Sequence, residues 1–266
     1  MSRFVTISLM LVFLSPLLCF AQGPYSLGFW HLHDISGEID LKGQYRQLES
    51  SFNEVNEDQR SLYLLSGIKL NTSSYLWDRD ILKIDLGGAY GPELRDESYI
   101  TMPDRSEVRT LKKVDLKTTL FNNKPVTLQG FYNYDQNYFN RELLTNVKTG
   151  NQLWGGILML NNKILPLTLT YRNQKWEQEE TQTGRNFNMD QELIEARASK
   201  SFGSRDRSEL MFSHHNYLYR YADIHETAHL IDRLTFNNSV YFDPLRKYNL
   251  NSRFSYYRQE GTTSFR

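Results

Sequence analysis

The stretch VDLKTTLFNNKPVTLQGFYNYD, residues Val114 to Asp135, decides the fold. Val114, Leu116, Thr118 and Leu120 alternate with Asp115, Lys117 and Thr119. After Phe121-Asn-Asn-Lys-Pro125 the alternation resumes, with Val126, Leu128, Gly130, Tyr132 and Tyr134 against Thr127, Gln129, Phe131 and Asn133. Side chains on a strand point to opposite faces in turn, so this is a β-hairpin with one apolar and one polar face. Leu160-Asn-Asn-Lys-Ile-Leu-Pro-Leu-Thr-Leu169 echoes Leu120 to Leu128 and predicts a second hairpin of the same kind.

Outward from this hairpin the same period recurs. Ser36–Gln47, Arg60–Leu70 and Leu82–Tyr90 precede it; Gln152–Leu160, Leu167–Trp176, Glu192–Phe202, Ser208–Tyr219, a strand within Glu226–Phe242, and Tyr248–Gln259 follow. With the two arms of the opening hairpin this makes eleven strands. Glu192-Leu-Ile-Glu-Ala-Arg-Ala198 also suits a helix start, but Ile194, Ala196 and Ala198 alternate and Gly203-Ser-Arg-Asp206 turns the chain at once. Between strands, long polar loops are expected at Leu48–Gln59, Gly91–Ser106, Gln136–Gly150 and Glu177–Met189, alternating with tight turns.

The N-terminus sets the compartment. Arg3 precedes an apolar run from Val5 to Phe20, broken by Pro16, and Cys19-Phe-Ala21 ends in a cleavage-type site, so residues 1–21 read as a secretory signal peptide. Residues 22–35 read as a lead and 36–266 as one strand-rich domain. Cys19 is the only cysteine, which leaves the mature chain without disulfides or thiolate chemistry. Seventeen Tyr and fifteen Phe accompany a mean hydropathy of -0.58. Abundant aromatics without apolar runs fit alternating strands. The 31 basic and 31 acidic residues cancel, which gives no electrostatic case for nucleic acid.

These features together resemble Gram-negative outer-membrane β-barrel proteins, at the level of the class and over nearly the whole mature chain. The resemblance implies an antiparallel up-and-down transmembrane barrel, with tight turns in the periplasm and long loops outside. It implies outer-membrane lipid and the barrel assembly machinery as partners, and a small solute or an exported polymer as cargo. One face would then line the lumen through Asp40, Lys42, Arg46, Lys69, Lys83, Asp85, Lys113, Asp115, Lys117 and Arg172. On the other face Tyr45, Tyr90, Tyr132, Tyr134, Tyr171 and Tyr256 would form an aromatic girdle at the headgroup boundary. Tyr217 and Tyr219 depart from it, falling on the parity opposite Leu210 and Phe212 unless a bulge intervenes. Asp232, among Leu230, Leu234 and Phe236, is a carboxylate on the lipid face. The strand number is odd where such barrels have an even one. Either a very short twelfth strand closes the set with Phe265 one place from the end, or residues 36–266 are the N-terminal part of a larger barrel, which is the favoured expectation.

No residue constellation specifies chemistry. His225 and His229 are four apart, about 13 Å on an extended strand and too far to share a metal, and His214 and His215 point to opposite faces. Asp78-Arg-Asp80 with Asp223-Ile-His225 resembles the acidic and histidine pairs of omptin-like proteases, but strand parity puts the two at opposite ends. Ser213-His-His-Asn216 lacks the order of an outer-membrane phospholipase. The sequence therefore predicts a channel, export conduit or structural surface protein, not an enzyme, with neither cofactor nor metal. The alternatives are an exported soluble or surface-attached all-β binding protein and, third, a barrel hydrolase.

Overall fold

The computed structural model describes residues 25–52, 55–98, 105–141, 145–162, 164–180, 183–203, 205–222, 224–243 and 247–265. The proposed leader at 1–21 lies outside them. Among the described residues every regular element is a strand: β1 (Tyr25–Leu27), β2 (Trp30–Phe52), β3 (Val55–Leu76), β4 (Leu82–Ser98), β5 (Arg105–Leu120), β6 (Val126–Arg141), β7 (Thr145–Leu160), β8 (Leu167–Glu180), β9 (Asn186–Phe202), β10 (Asp206–Tyr221), β11 (His225–Tyr241) and β12 (Asn249–Phe265). They form one sheet whose order follows the chain, with eleven long antiparallel strands running up and down after the short β1. The sheet is not closed: among the described residues β12 pairs with β11 alone, and its residues are exposed from end to end. By internal packing the chain divides into two units, Met1–Asp78 with Ile84–Val114, and Arg79–Lys83 with Asp115–Arg266.

In the first unit β2 and β3 pair from Trp30↔Leu76 to Phe52↔Val55, with one register shift between Leu32 and Asp34. That shift explains why the lead at 22–35 does not read as strand. Trp30 and Leu32 are in phase with each other but out of phase with Ile35, Gly37 and Ile39, so the alternation is interrupted where the backbone pairing is not. β1 folds back on the start of β2, Tyr25↔Leu32 to Leu27↔Trp30, through Gly28, whose φ of 63° suits a residue without Cβ.

In the second unit the registers from β6 to β12 run without a shift. The opening hairpin turns at Phe121–Pro125, where Phe121 and Asn123 take φ of 56° and 60° and Thr127 Oγ1 donates to the Phe121 carbonyl at 3.1 Å. Its echo turns by an Asx device, the Asn162 carboxamide oxygen accepting from the amides of Ile164 and Leu165 at 3.0 and 2.6 Å. Residues 192–202 are strand, within β9.

Among the described residues much of the expected long loops is strand. β2 continues to Phe52 and β3 begins at Val55; β6 reaches Arg141 and β7 starts at Thr145; β8 reaches Glu180 and β9 starts at Asn186. β4 likewise reaches Ser98 and β5 starts at Arg105. Among the described residues the polar stretches expected as loops are thus largely strand arms. Polar alternation marks where an apolar face ends, not where backbone pairing ends, because the ladder hydrogen bonds do not depend on what the side chains contact.

Packing is that of a single layer. Among the described residues the buried apolar side chains are Val147 and Leu193 alone.

Candidate functional site

The register sorts the side chains of each unit onto two faces. In the first unit one face carries Ile39, Leu41, Gly43 and Tyr45 opposite Ile68, Ser66, Leu64 and Leu62. These apolar side chains are exposed, Leu41 at 58% and Ile68 at 49%. The other face carries Asp40, Lys42 and Arg46 opposite Gly67, Leu65 and Ser61, with Lys69 opposite Glu38. Lys69 Nζ donates to Glu38 Oε2 at 3.1 Å and lies 3.2 Å from Asp40 Oδ2, joining three side chains on two strands. Ser73 Oγ donates to Asp85 Oδ1 at 2.7 Å on the same face. Lys113 shares the parity of the polar face on β5. Mixed signs placed this way neutralise one another locally and leave the face hydrophilic without a single-sign field.

The second unit repeats the division. Val126, Leu128, Gly130, Tyr132 and Tyr134 face the same way as Leu160, Leu158, Gly156, Trp154 and Gln152, their register partners. Leu169 and Tyr171 on β8, Ile194 and Ala196 on β9, Phe212 on β10, Leu234 on β11 and Tyr256 on β12 continue this face. Tyr171 stands opposite Gly156, and the Trp154 ring tilts against it at 5.3 Å. Tyr134 donates to Gln136 Oε1 at 3.1 Å, so the phenol meets the first polar residue beyond the apolar run. Past that level the same face turns ionic: Lys148 lies 3.8 Å from Glu179, and Arg220 lies 3.5 Å from Asp190 and 3.4 Å from Glu226.

On the opposite face Asp115, Lys117 and Arg172 share parity with Asn133, Phe131 and Gly155. With its amide oriented by its partners, Asn133 donates to Asp115 Oδ1 at 3.0 Å. Gly155 is required there, because a Cβ would overlap the Tyr171 carbonyl oxygen and come within 2.8 Å of the Phe131 ring. Lys83 is the second residue of β4, on the parity of Asp85.

The sequence missed two features of these faces. Trp154 belongs beside Tyr132 and Tyr171 at the edge of the apolar run, and its parity within Gln152–Leu160 was the available signal. Along β8 to β11 the polar face keeps charges at Arg172, Glu195, Arg197, Glu209 and Arg233, but beyond the level of Arg172 it becomes a run of rings and amides. Gln174 donates to Asn151 Oδ1 at 2.9 Å, and Tyr217 and Gln191 approach within 3.4 Å. Tyr217 stacks between His215 and Tyr219 at 5.8 and 6.2 Å. β10 carries no bulge, so Tyr217 and Tyr219 do lie on the face opposite Leu210 and Phe212.

The catalytic readings gain no geometry. In the second unit Asp80 lies against Asn123 at 3.4 Å, beside the β5–β6 turn, whereas His225 opens β11 with its ring 4.7 Å from Phe265. Asp223 lies outside the described residues. Among the described residues no three His, Cys, Asp or Glu side chains cluster to hold a metal, and no helix is long and apolar enough to cross a membrane. The chain matches no family model and no curated protein.

Proposed function

We propose that the chain is a membrane-embedded β-barrel protein of the bacterial outer membrane, serving as a channel, an export conduit or a structural surface protein. The observation that carries this reading is the exposed apolar face with its abrupt upper limit. Val126 to Tyr134 spans about 27 Å along the strand at ~3.4 Å per residue, and about 21 Å along the membrane normal at a ~40° tilt. That height suits the outward band of a transmembrane barrel. Tyr134, Trp154, Tyr171 and Tyr256 stand where such a band has its aromatic girdle, and the ion pairs of Lys148, Arg220 and their partners stand beyond it, where water and headgroups solvate charge. In water each exposed Leu or Ile of this face would forgo about 1.5–3 kcal/mol of burial; hydrocarbon removes that penalty.

Lipid also explains why the reading requires closure. An unpaired backbone group in hydrocarbon costs several kcal/mol, so the free edge of β12 needs a strand partner there. The polar faces bearing Asp40, Lys42, Arg46, Lys69, Asp85, Lys113, Asp115, Lys117, Lys83 and Arg172 then turn away from lipid, toward a lumen. The deciding experiment is fractionation of the full chain expressed in a Gram-negative host. Recovery with urea-washed outer membranes, together with heat-dependent migration on gels, is the expected result; recovery as a soluble periplasmic species removes the proposal. Conductance in planar bilayers then separates a channel or conduit from a structural protein.

A further inference from the structure

On the apolar face of the first unit, β3, β4 and β5 do not fill the surface evenly. Gly88, without a side chain, leaves a groove of about 560 Å³. Its walls are Ile68 and Leu70 on β3, Leu86 on β4 and Val114 on β5, and Tyr90 and Lys112 stand at one end. Ile68, Leu70, Leu86 and Tyr90 are each about half exposed, at 49%, 50%, 46% and 53%. Lys112 is exposed as well.

We propose that this groove holds one acyl chain of an anionic membrane lipid, with the Lys112 ammonium against the lipid phosphate. The inference rests on the membrane reading above and adds a specific occupant to it. Three observations favour that occupant. Between Thr72 at one end and Tyr90 and Lys112 at the other the walls are aliphatic, so the part of the ligand lying in the groove is hydrocarbon. Tyr90 marks the level at which an amphipathic ring sits at the headgroup boundary, and Lys112 lines the same end, so a cation meets the ligand where a lipid carries its phosphate. The opening along the sheet surface suits a chain that enters from the bilayer and not a solute that enters from water.

Gly88 makes the groove testable. A Cβ built there finds only the Lys113 carbonyl oxygen, at 3.7 Å, an ordinary contact. Gly88→Leu therefore fills the groove without displacing backbone. The full-length protein, folded in detergent, is titrated with dioleoylphosphatidylglycerol or dioleoylphosphatidylcholine and the retained lipid is counted by native mass spectrometry. Wild type is expected to prefer the anionic lipid about fivefold, the size expected of one lysine at an anionic surface. Lys112→Ala equalises the two lipids while still retaining both, and Gly88→Leu loses the tightest-held molecule of either. Gly43→Leu, on the same face where an added Cβ meets nothing within 4 Å, leaves retention unchanged. Equal retention by wild type and Gly88→Leu, or no headgroup preference in wild type, overturns the proposal while leaving the membrane reading standing. A chain that fails to enter lipid vesicles at all overturns both.

Discussion

His214 Nδ1 lies 2.6 Å from Asp232 Oδ1, directly across the β10–β11 ladder and on the apolar face. Ile194 and Arg258 are the next residues along that row on either side. Asp232, which looked out of place among Leu230, Leu234 and Phe236, therefore has a partner. If this face meets lipid, as proposed, the hydrogen bond to His214 is what makes a carboxylate there tolerable.

The pair predicts unequal effects for one replacement and for two. His214→Leu leaves the carboxylate without its hydrogen-bond partner and is expected to lower stability by about 1.5–3 kcal/mol, the range for a lost hydrogen bond to a charged group. His214→Leu with Asp232→Leu removes both polar groups and is expected to be near neutral or stabilising, as for ion pairs replaced by apolar residues. Urea unfolding of the protein in lipid vesicles measures both. A double variant as unstable as the single one would show that the pair is not what accommodates Asp232.

Gly155 predicts a position where the smallest enlargement fails. The added methyl of Gly155→Ala meets the Tyr171 carbonyl, part of a neighbouring strand, and the edge of Phe131 at 2.8 Å. Overpacking of this kind costs about 1–3 kcal/mol. Gly43→Ala, with nothing within 4 Å of its Cβ, should stay within about 0.5 kcal/mol of wild type. Equal midpoints for the two variants would mean that the sheet relaxes locally at Gly155.

Trp154 and Tyr171 predict a coupled effect. Their tilted contact at 5.3 Å falls in the range of aromatic pairs that contribute about 0.5–1.5 kcal/mol beyond their buried area. A double-mutant cycle of Trp154→Ala and Tyr171→Ala, read from folding into vesicles, should show a coupling of that size. Strict additivity would reduce both rings to independent anchors.

Lys69 predicts a change in conduction without a change in folding. It bridges Glu38 and Asp40 from a half-exposed position, so Lys69→Glu places three carboxylates together on the polar face. If that face lines an open lumen, the reversal potential in a salt gradient moves toward cation selectivity, while the amount of folded protein is unchanged. Unchanged selectivity in a conducting protein would place this cluster away from the ion path.

Much of this was legible in the sequence, and the reason is physical. An apolar face exposed to its surroundings imposes a strict period of two, so Val126 to Tyr134 and Leu62 to Leu70 declare both their strand and their face. Where the apolar face ends the period fades; the arms from Gln136 to Arg141 and from Glu177 to Glu180 consequently read as loop. The start of β2 was hidden by the register shift at Leu32, which reverses parity. His214 and Asp232 are separated by 18 residues, and their contact depends on where the β10–β11 turn falls, a register that neither residue announces alone. The ring and amide run through Gln174, Gln191 and Tyr217 followed from parity, but that it begins beyond the charged level of Arg172 emerged only when the strands were set side by side.

β12 supplies the last prediction. From Asn249 to Phe265 its amides alternate between those directed at β11, which are paired, and those directed at the free edge. A strand whose residues are all exposed has no packing to slow the exchange of the second set. In lipid the same groups cannot remain unpaired, since each would forfeit several kcal/mol. Hydrogen exchange followed residue by residue should therefore show both sets protected once the protein is inserted. Protection of the β11-directed amides with free exchange of the edge-directed ones, in protein shown to be inserted, would mean that β12 borders water and not another strand, and the barrel would have to be abandoned in favour of an open sheet.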